Sequence, residues 1–158
     1  MKRIMTVINL LLAAAVLIAG CGTQPTAGAG LPPATPAPSV SHGGPVKDYA
    51  SFVDALRAAG ATVEPAEQVE QPFFTVKGQI VKVNGADVQV FEFQDEAAAQ
   101  TAAGRVGPDG STFETTIVTW IAPPHFFQAG RIIVLYVGQD TGVLRLLAAT
   151  LGPQFAGQ

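Results

Sequence analysis

From Lys47 onward the spacing of apolar positions changes several times, and each change marks an element. Between Asp48 and Gly60, Phe52, Val53, Leu56 and Ala59 fall on one face at helical spacing. Asp48 is placed to cap the first turn and Gly60 to stop the last. Val63 to Gln71 carries Glu64, Glu67 and Glu70 at every third position, broken by Pro65 and Pro72. It reads as a solvated connector or an edge segment, with a cation site as the alternative. Val76–Val83 and Ala86–Phe93 are β-prone runs around Asn84-Gly85, the strongest short hairpin signal. With that turn, Val83 faces Ala86, Lys82 faces Asp87 and Val81 faces Val88. Val81, Val83, Val88 and Val90 then share one face, and Lys82 can pair with Asp87 on the other.

Asp95 is the expected cap of an alanine-rich helix from Glu96 to Ala103, ended by Gly104. Gly107-Pro108-Asp109-Gly110 is a turn, and Thr112–Ile121 reads as a third strand stopped by Pro123-Pro124. Arg131–Val137 is continuously apolar after its first residue, as expected of a central strand covered on both faces. Asp140 then caps a last helix with Val143, Leu144, Leu147 and Leu151 on one stripe and Gly152 as its stop. The order is α-β-β-α-β-β-α. It predicts an α+β domain, an antiparallel four-stranded sheet with about three helices on one face. Two β-β-α units, each passing from strand to Asp-capped helix, are compatible with an internal repeat.

The chain as a whole is 48% hydrophobic and 13% charged, and its mean hydropathy is +0.33. Much of the apolar excess sits at the start. Lys2 and Arg3 precede an uncharged run from Met5 to Gly20 whose centre is Leu10-Leu11-Leu12-Ala13-Ala14-Ala15-Val16-Leu17-Ile18. A basic start, a short apolar core and small terminal residues make a secretory signal peptide, too short for the roughly 20 residues that span a bilayer comfortably. The run ends in Leu17-Ile18-Ala19-Gly20-Cys21. This pentapeptide resembles the lipobox of bacterial lipoproteins, and the resemblance covers the first 21 residues only. It implies cleavage between Gly20 and Cys21, with a diacylglyceryl thioether on Cys21 as the new N-terminus. Small side chains beside the scissile bond suit a membrane peptidase. Two or three acyl chains, at about 0.8 kcal/mol per buried CH₂, hold a protein durably on a membrane. Gly22 stands where an Asp would signal inner-membrane retention in a two-membrane cell.

Residues 1–20 are thus the expected leader and residues 21–46 a tether. Gly22–Val46 has no charge, six prolines and five glycines. Such a composition cannot bury enough apolar area to fold, so a disordered spacer is expected. It would span ~25–30 Å as a coil and up to roughly 75 Å as polyproline II. Residues 47–158 form the extracytoplasmic domain. Loss of Lys2 and Arg3 with the leader leaves seven of the nine basic residues against 12 acidic, a net charge of −5. Nucleic acid is an unsuitable partner for that charge and compartment. The expected location is the cell membrane or outer membrane, the domain facing away from the cytoplasm.

Catalytic signatures are sparse. Acylation would consume the one cysteine, and no nucleophile elbow, phosphate-binding loop or zinc-binding helix motif is present. No cofactor or metal is expected. His42 falls in the tether, and His125 is the domain's one histidine. A Ser111–His125–Asp set and a carboxylate pair drawn from Glu92, Asp95 and Glu96 remain open, though caps and first-turn acids explain the latter more simply. The unusual segment is Trp120-Ile121-Ala122-Pro123-Pro124-His125-Phe126-Phe127. As a loop, Trp120, Pro123, Pro124, His125, Phe126 and Phe127 could present a stacking surface, or the rings could close the end of the core. The expected function is a lipid-anchored, non-catalytic module that contacts another envelope protein or a small apolar or aromatic ligand. A structural or stress-related envelope lipoprotein is the alternative, and a small hydrolytic enzyme the third reading.

Overall fold

The computed structural model describes residues 45–158, and its helices begin where the aspartates are. Helix α1 (Tyr49–Ala58) opens on Asp48, whose Oδ1 accepts the Ser51 N–H at 2.9 Å, while the Asp48 N–H donates to Ser51 Oγ at 3.0 Å. That reciprocal box satisfies two otherwise orphaned donors. The hydrogen bond from the Ser51 backbone also holds the Asp48 carboxyl below the usual carboxylate range. Phe52, Val53 and Leu56 face inward as expected, but Ala59 is the exposed C-cap rather than part of the buried face. Helix α2 (Glu96–Ala103) is capped by Asp95 through the Ala98 N–H at 2.8 Å. Helix α3 (Thr141–Leu151) is capped by Asp140, which accepts from the Gly142 and Val143 N–H groups. Val143, Leu147 and Leu151 are its buried stripe.

The strands are β1 (Val63–Val69), β2 (Gly78–Val83), β3 (Ala86–Glu92), β4 (Thr112–Phe113), β5 (Thr116–Ile117), β6 (Pro124–Ala129), β7 (Ile132–Val137) and β8 (Ala156–Gly157). Six of them make one antiparallel sheet in the order β1-β2-β3-β7-β6-β8, and β4 and β5 form a separate two-stranded sheet, with a further bridge from Phe113 to Val106. The expected hairpin register holds throughout: Val83 opposes Ala86, Lys82 opposes Asp87 and Val81 opposes Val88. Asn84 and Gly85 both take positive φ, 51° and 87°, the geometry that an Asn-Gly turn supplies at least cost. Lys82 Nζ reaches Asp87 Oδ1 at 2.7 Å.

Three expectations are corrected. The main sheet has six strands rather than four, because both edges carry strands that composition hides. Strand β1 is the Glu-rich segment, and its register shifts between Pro65 and Gln68. A polar edge strand interrupted by a proline lacks the alternation that marks a half-buried one. Strand β8 is two residues long and ends in a glycine at φ 104°. Second, the helices cover both faces. Core residues of α1 and α3 pack with Val81, Val83, Val88, Val90, Phe127, Ile132, Val134 and Tyr136. Ala99 and Ala103 of α2 pack with Phe74, Phe91, Phe93, Phe113, Phe126, Ile133 and Leu135 on the other side. The two β-β-α units therefore send their helices to opposite faces. Asp95 and Asp140 each follow the last residue of their strand by three, but β3 ends on Glu92, which alternates with Phe91 and Phe93 of the α2 side, whereas β7 ends on Val137, which itself packs on that side. In a pleat of period two, the parity of the last strand residue sets which face the exit takes.

Third, Thr112–Ile121 is not one strand. The chain reverses at Glu114 (φ 52°) to make the β4–β5 hairpin, and the Val118 N–H returns to the Ser111 carbonyl at 2.8 Å. Pro123-Pro124 does not end a strand, since Pro124 begins β6. A proline at a strand's first residue removes no essential donor, and the Pro124 carbonyl still accepts the Gln158 N–H at 3.2 Å. Strand β7 is central as expected. Ile132, Val134 and Tyr136 enter one core while Ile133 and Leu135 enter the other. Cys21, Gly20, His42 and the proposed tether up to Gly44 lie outside the described residues. Among the described residues, no helix is long and apolar enough to cross a membrane.

Candidate functional site

The segment from Trp120 to Phe127 divides in two. Phe126 and Phe127 are successive residues of β6, so the pleat points them to opposite faces, and both are buried. Phe126 joins the α2 side and Phe127 the α1–α3 side. Pro124 is buried and Pro123 half-buried. His125 is 5% exposed, its Nδ1 lying 2.7 Å from Gln154 Oε1 and its Nε2 3.0 Å from the Gly138 carbonyl. The ring stacks beside Tyr136, with centroids 6.1 Å apart. It thereby ties β6 to the segment before β8 and to the turn that leads into α3. Its ring nitrogens meet neither Ser111 nor an aspartate. Trp120 is half-buried, and its Nε1–H donates to the Gly110 carbonyl at 2.8 Å. Within this stretch Ile121 alone is fully exposed.

The acids that sequence spacing grouped together have separate duties. Glu92 Oε1 takes Arg131 Nη2 at 2.7 Å, Asp95 caps α2, and Glu96 accepts from Gln100 Nε2 at 3.2 Å within the first turn. On the edge strand's exit, Glu70 pairs with Lys77 at 2.7 Å. The hydrogen bond from Lys77 lowers the Glu70 carboxyl below its usual range, and the one to Asp87 raises Lys82 above its own. These are local ion pairs between exposed side chains. Among the described residues, no group of three or more His, Cys, Asp or Glu is placed to hold a metal ion.

A cleft does open on the aromatic side, between the Pro72–Thr75 loop and the β4–β5 hairpin, with a volume of about 210 Å³. Phe73 stacks on Phe113 with ring centroids 3.7 Å apart and planes 14° from parallel. Trp120 stands edge-on to both, at 6.0 Å and 6.4 Å. Arg105 Nε and Glu114 Oε1, 3.3 Å apart, form the polar rim with Thr75 and Thr116. Glu114 holds its positive φ without being glycine or asparagine, a conformation that costs on the order of 1 kcal/mol or more. Its N–H donates to the Arg105 carbonyl at 3.2 Å, which fixes the turn against the end of α2. Strain kept at such a position directs attention to the side chain there. The volume falls below the ~300 Å³ at which drug-sized ligands begin, so the cleft suits one ring or side chain. Sequence spacing did not reveal it: Phe73, Arg105, Phe113 and Glu114 come from three segments that only the tertiary fold joins.

No known protein-family model matches this chain, and no curated protein or solved structure does so either.

Proposed function

We propose that this protein is a lipid-anchored, extracytoplasmic bacterial lipoprotein whose domain is a non-catalytic binding module. The observation that carries the reading is the pentapeptide Leu17-Ile18-Ala19-Gly20-Cys21 after an uncharged apolar run. A binding role is supported by the Phe73–Phe113 cleft with its Arg105–Glu114 rim and by the strained turn that places Glu114. Stacked rings beside a guanidinium and a carboxylate suit a proline, aromatic or sugar ring carrying a polar substituent, offered by an envelope protein or a small ligand. That His125 is buried in structural hydrogen bonds, away from the cleft-lining residues, favours this over hydrolysis.

Metabolic labelling with palmitate tests the anchor. The wild-type chain is expected to take label and sediment with membranes, and Cys21→Ala to lose both. Label retained by Cys21→Ala would sink the reading. A thermal-shift titration of the whole chain with proline-rich peptides, aromatic amino acids and oligosaccharides tests the cleft. Glu114→Gly is expected to keep or raise the melting temperature, because glycine relieves the positive φ, while abolishing any ligand-induced shift. A shift that is unchanged in Glu114→Gly and Phe73→Ser would place binding elsewhere. No shift with any probe would favour the structural or stress-related role.

A further inference from the structure

Ile121 and Ile117 are 101% and 79% exposed, and Phe155 is 37% exposed. They are the large apolar side chains that the described domain leaves in solvent, and their segments meet at Gly110. Trp120, beside Ile121, donates to the Gly110 carbonyl, and Val118, beside Ile117, donates to Ser111. A Cβ on Gly110 would stand 3.0 Å from Pro124 Cγ, 3.1 Å from Gly157 Cα and 3.1 Å from Phe126 Cε2, and Phe126 in turn packs against Phe155. The base of this patch is fixed. Pro123 and Pro124 restrict the loop, and the Pro123 carbonyl accepts the Gly138 N–H at 3.0 Å.

The patch carries few charges. Asp109 is exposed at its edge beside Gly110, Glu114 pairs with Arg105, and Leu151–Gln158 contains no ionisable side chain. The mature chain as a whole carries a net charge of −5. An anionic leaflet would repel most of such a surface, and this face less than the rest.

We infer that the Ile117–Trp120–Ile121 face rests on the lipid surface that holds Cys21. The inference rests on the anchoring proposed above and goes beyond it, since the anchor requires no contact by the domain. A few apolar side chains are too weak to hold a free protein on a bilayer, but they suffice when an acyl anchor has already raised the local concentration. Reach is no obstacle. The chain enters the domain where the Lys47 carbonyl accepts the Arg131 N–H, at the opposite end of β6 from Pro123. A six-residue strand is about 20 Å long. The residues between Cys21 and Pro45 could extend to roughly 80 Å.

Trp120, the chain's only tryptophan, is a native reporter for the test. The full lipidated chain is incorporated into vesicles of phosphatidylethanolamine and phosphatidylglycerol, with and without brominated acyl chains. The wild type is expected to lose most of its tryptophan emission in the brominated vesicles. Ile121→Asp, whose side chain packs against nothing, is expected to sediment equally and keep its emission, and Ile121→Leu to restore the loss. Equal emission of the sedimented wild type in both vesicles overturns the inference. Failure to sediment overturns the anchoring reading, and this inference with it.

Discussion

The two faces of the main sheet are built from different material and closed in different ways. One is mainly aliphatic: four valines of the β2–β3 hairpin, with Ile132, Val134 and the two rings Phe127 and Tyr136, lie under α1 and α3. The other is mainly aromatic: Phe74, Phe91, Phe93, Phe113 and Phe126, around Ile133 and Leu135, lie under an alanine-rich helix, a loop and a two-stranded hairpin. Two helices with apolar stripes can cover an even surface of branched side chains. Rings of irregular outline need a cover that adapts, and loops provide it. The aliphatic face is therefore sealed by regular hydrogen-bonded elements. The aromatic face has the cleft, the non-glycine left-handed turn at Glu114 and the exposed Ile117 and Ile121. Segments closed by loops open more readily than packed helices, and they are where binding surfaces are commonly found.

The adjacent residues Phe126 and Phe127 allow the sharpest test, because each is buried in one of the two cores. Truncation of either to alanine is expected to cost about 3–5 kcal/mol in denaturant unfolding. Phe127→Ala is expected to cost more, since the loops around Phe126 can collapse into the space whereas paired helices cannot. The reverse order would break the distinction between a rigid and an adaptable cover. Next in size are the caps. Asp95→Ala and Asp48→Ala are each expected to cost about 1 kcal/mol. Native-state hydrogen exchange should show the loss at Asp95 confined to the aromatic side and that at Asp48 to the aliphatic side.

A smaller effect follows from pH. The Asp48 carboxyl is lowered in the folded state by the hydrogen bond from the Ser51 backbone. Its contribution is present above the unfolded carboxylate range and is lost as pH falls through the lower folded value. Asp48→Asn should therefore flatten the acid side of the stability profile and leave the neutral side little changed. An unaltered acid limb would show that the cap contributes no charge-dependent stability. The smallest change is expected from Lys82→Gln. Its pair with Asp87 has both side chains exposed, and any loss should vanish in high salt.

Local signals were legible wherever the residues that fix an element are neighbours in the chain. Asp48, Asp95 and Asp140 each cap the helix that follows, and Asn84-Gly85 sets a hairpin register that places four valines on one face. The edge strand β1 is harder to read, because an edge position tolerates Pro65, Glu64 and Glu67, which a central strand would exclude. By sequence the Trp120–Phe127 segment reads as a single aromatic loop, because composition does not reveal where a strand begins. Pro124, a stop when taken alone, starts β6 because β7 and the Gln158 N–H lie beside it. The cleft was not legible at all. Phe73 and Phe113 are forty residues apart in the chain and carry no shared motif.

What the sequence by itself determined is the start of each helix, the central hairpin and its register, and the fully apolar β7, since each depends on hydrogen bonds or side-chain alternation within a few residues. It also holds the lipobox-like motif ending in Cys21, which is read as a linear string. Only the tertiary structure decided that helices cover both faces, that Phe126 and Phe127 belong to different cores, and that Arg105, Phe73 and Glu114 share one cleft. Those outcomes depend on which strand lies beside which and on the parity of a pleat. The long-range packing free energy selects both, and no local window of residues contains it.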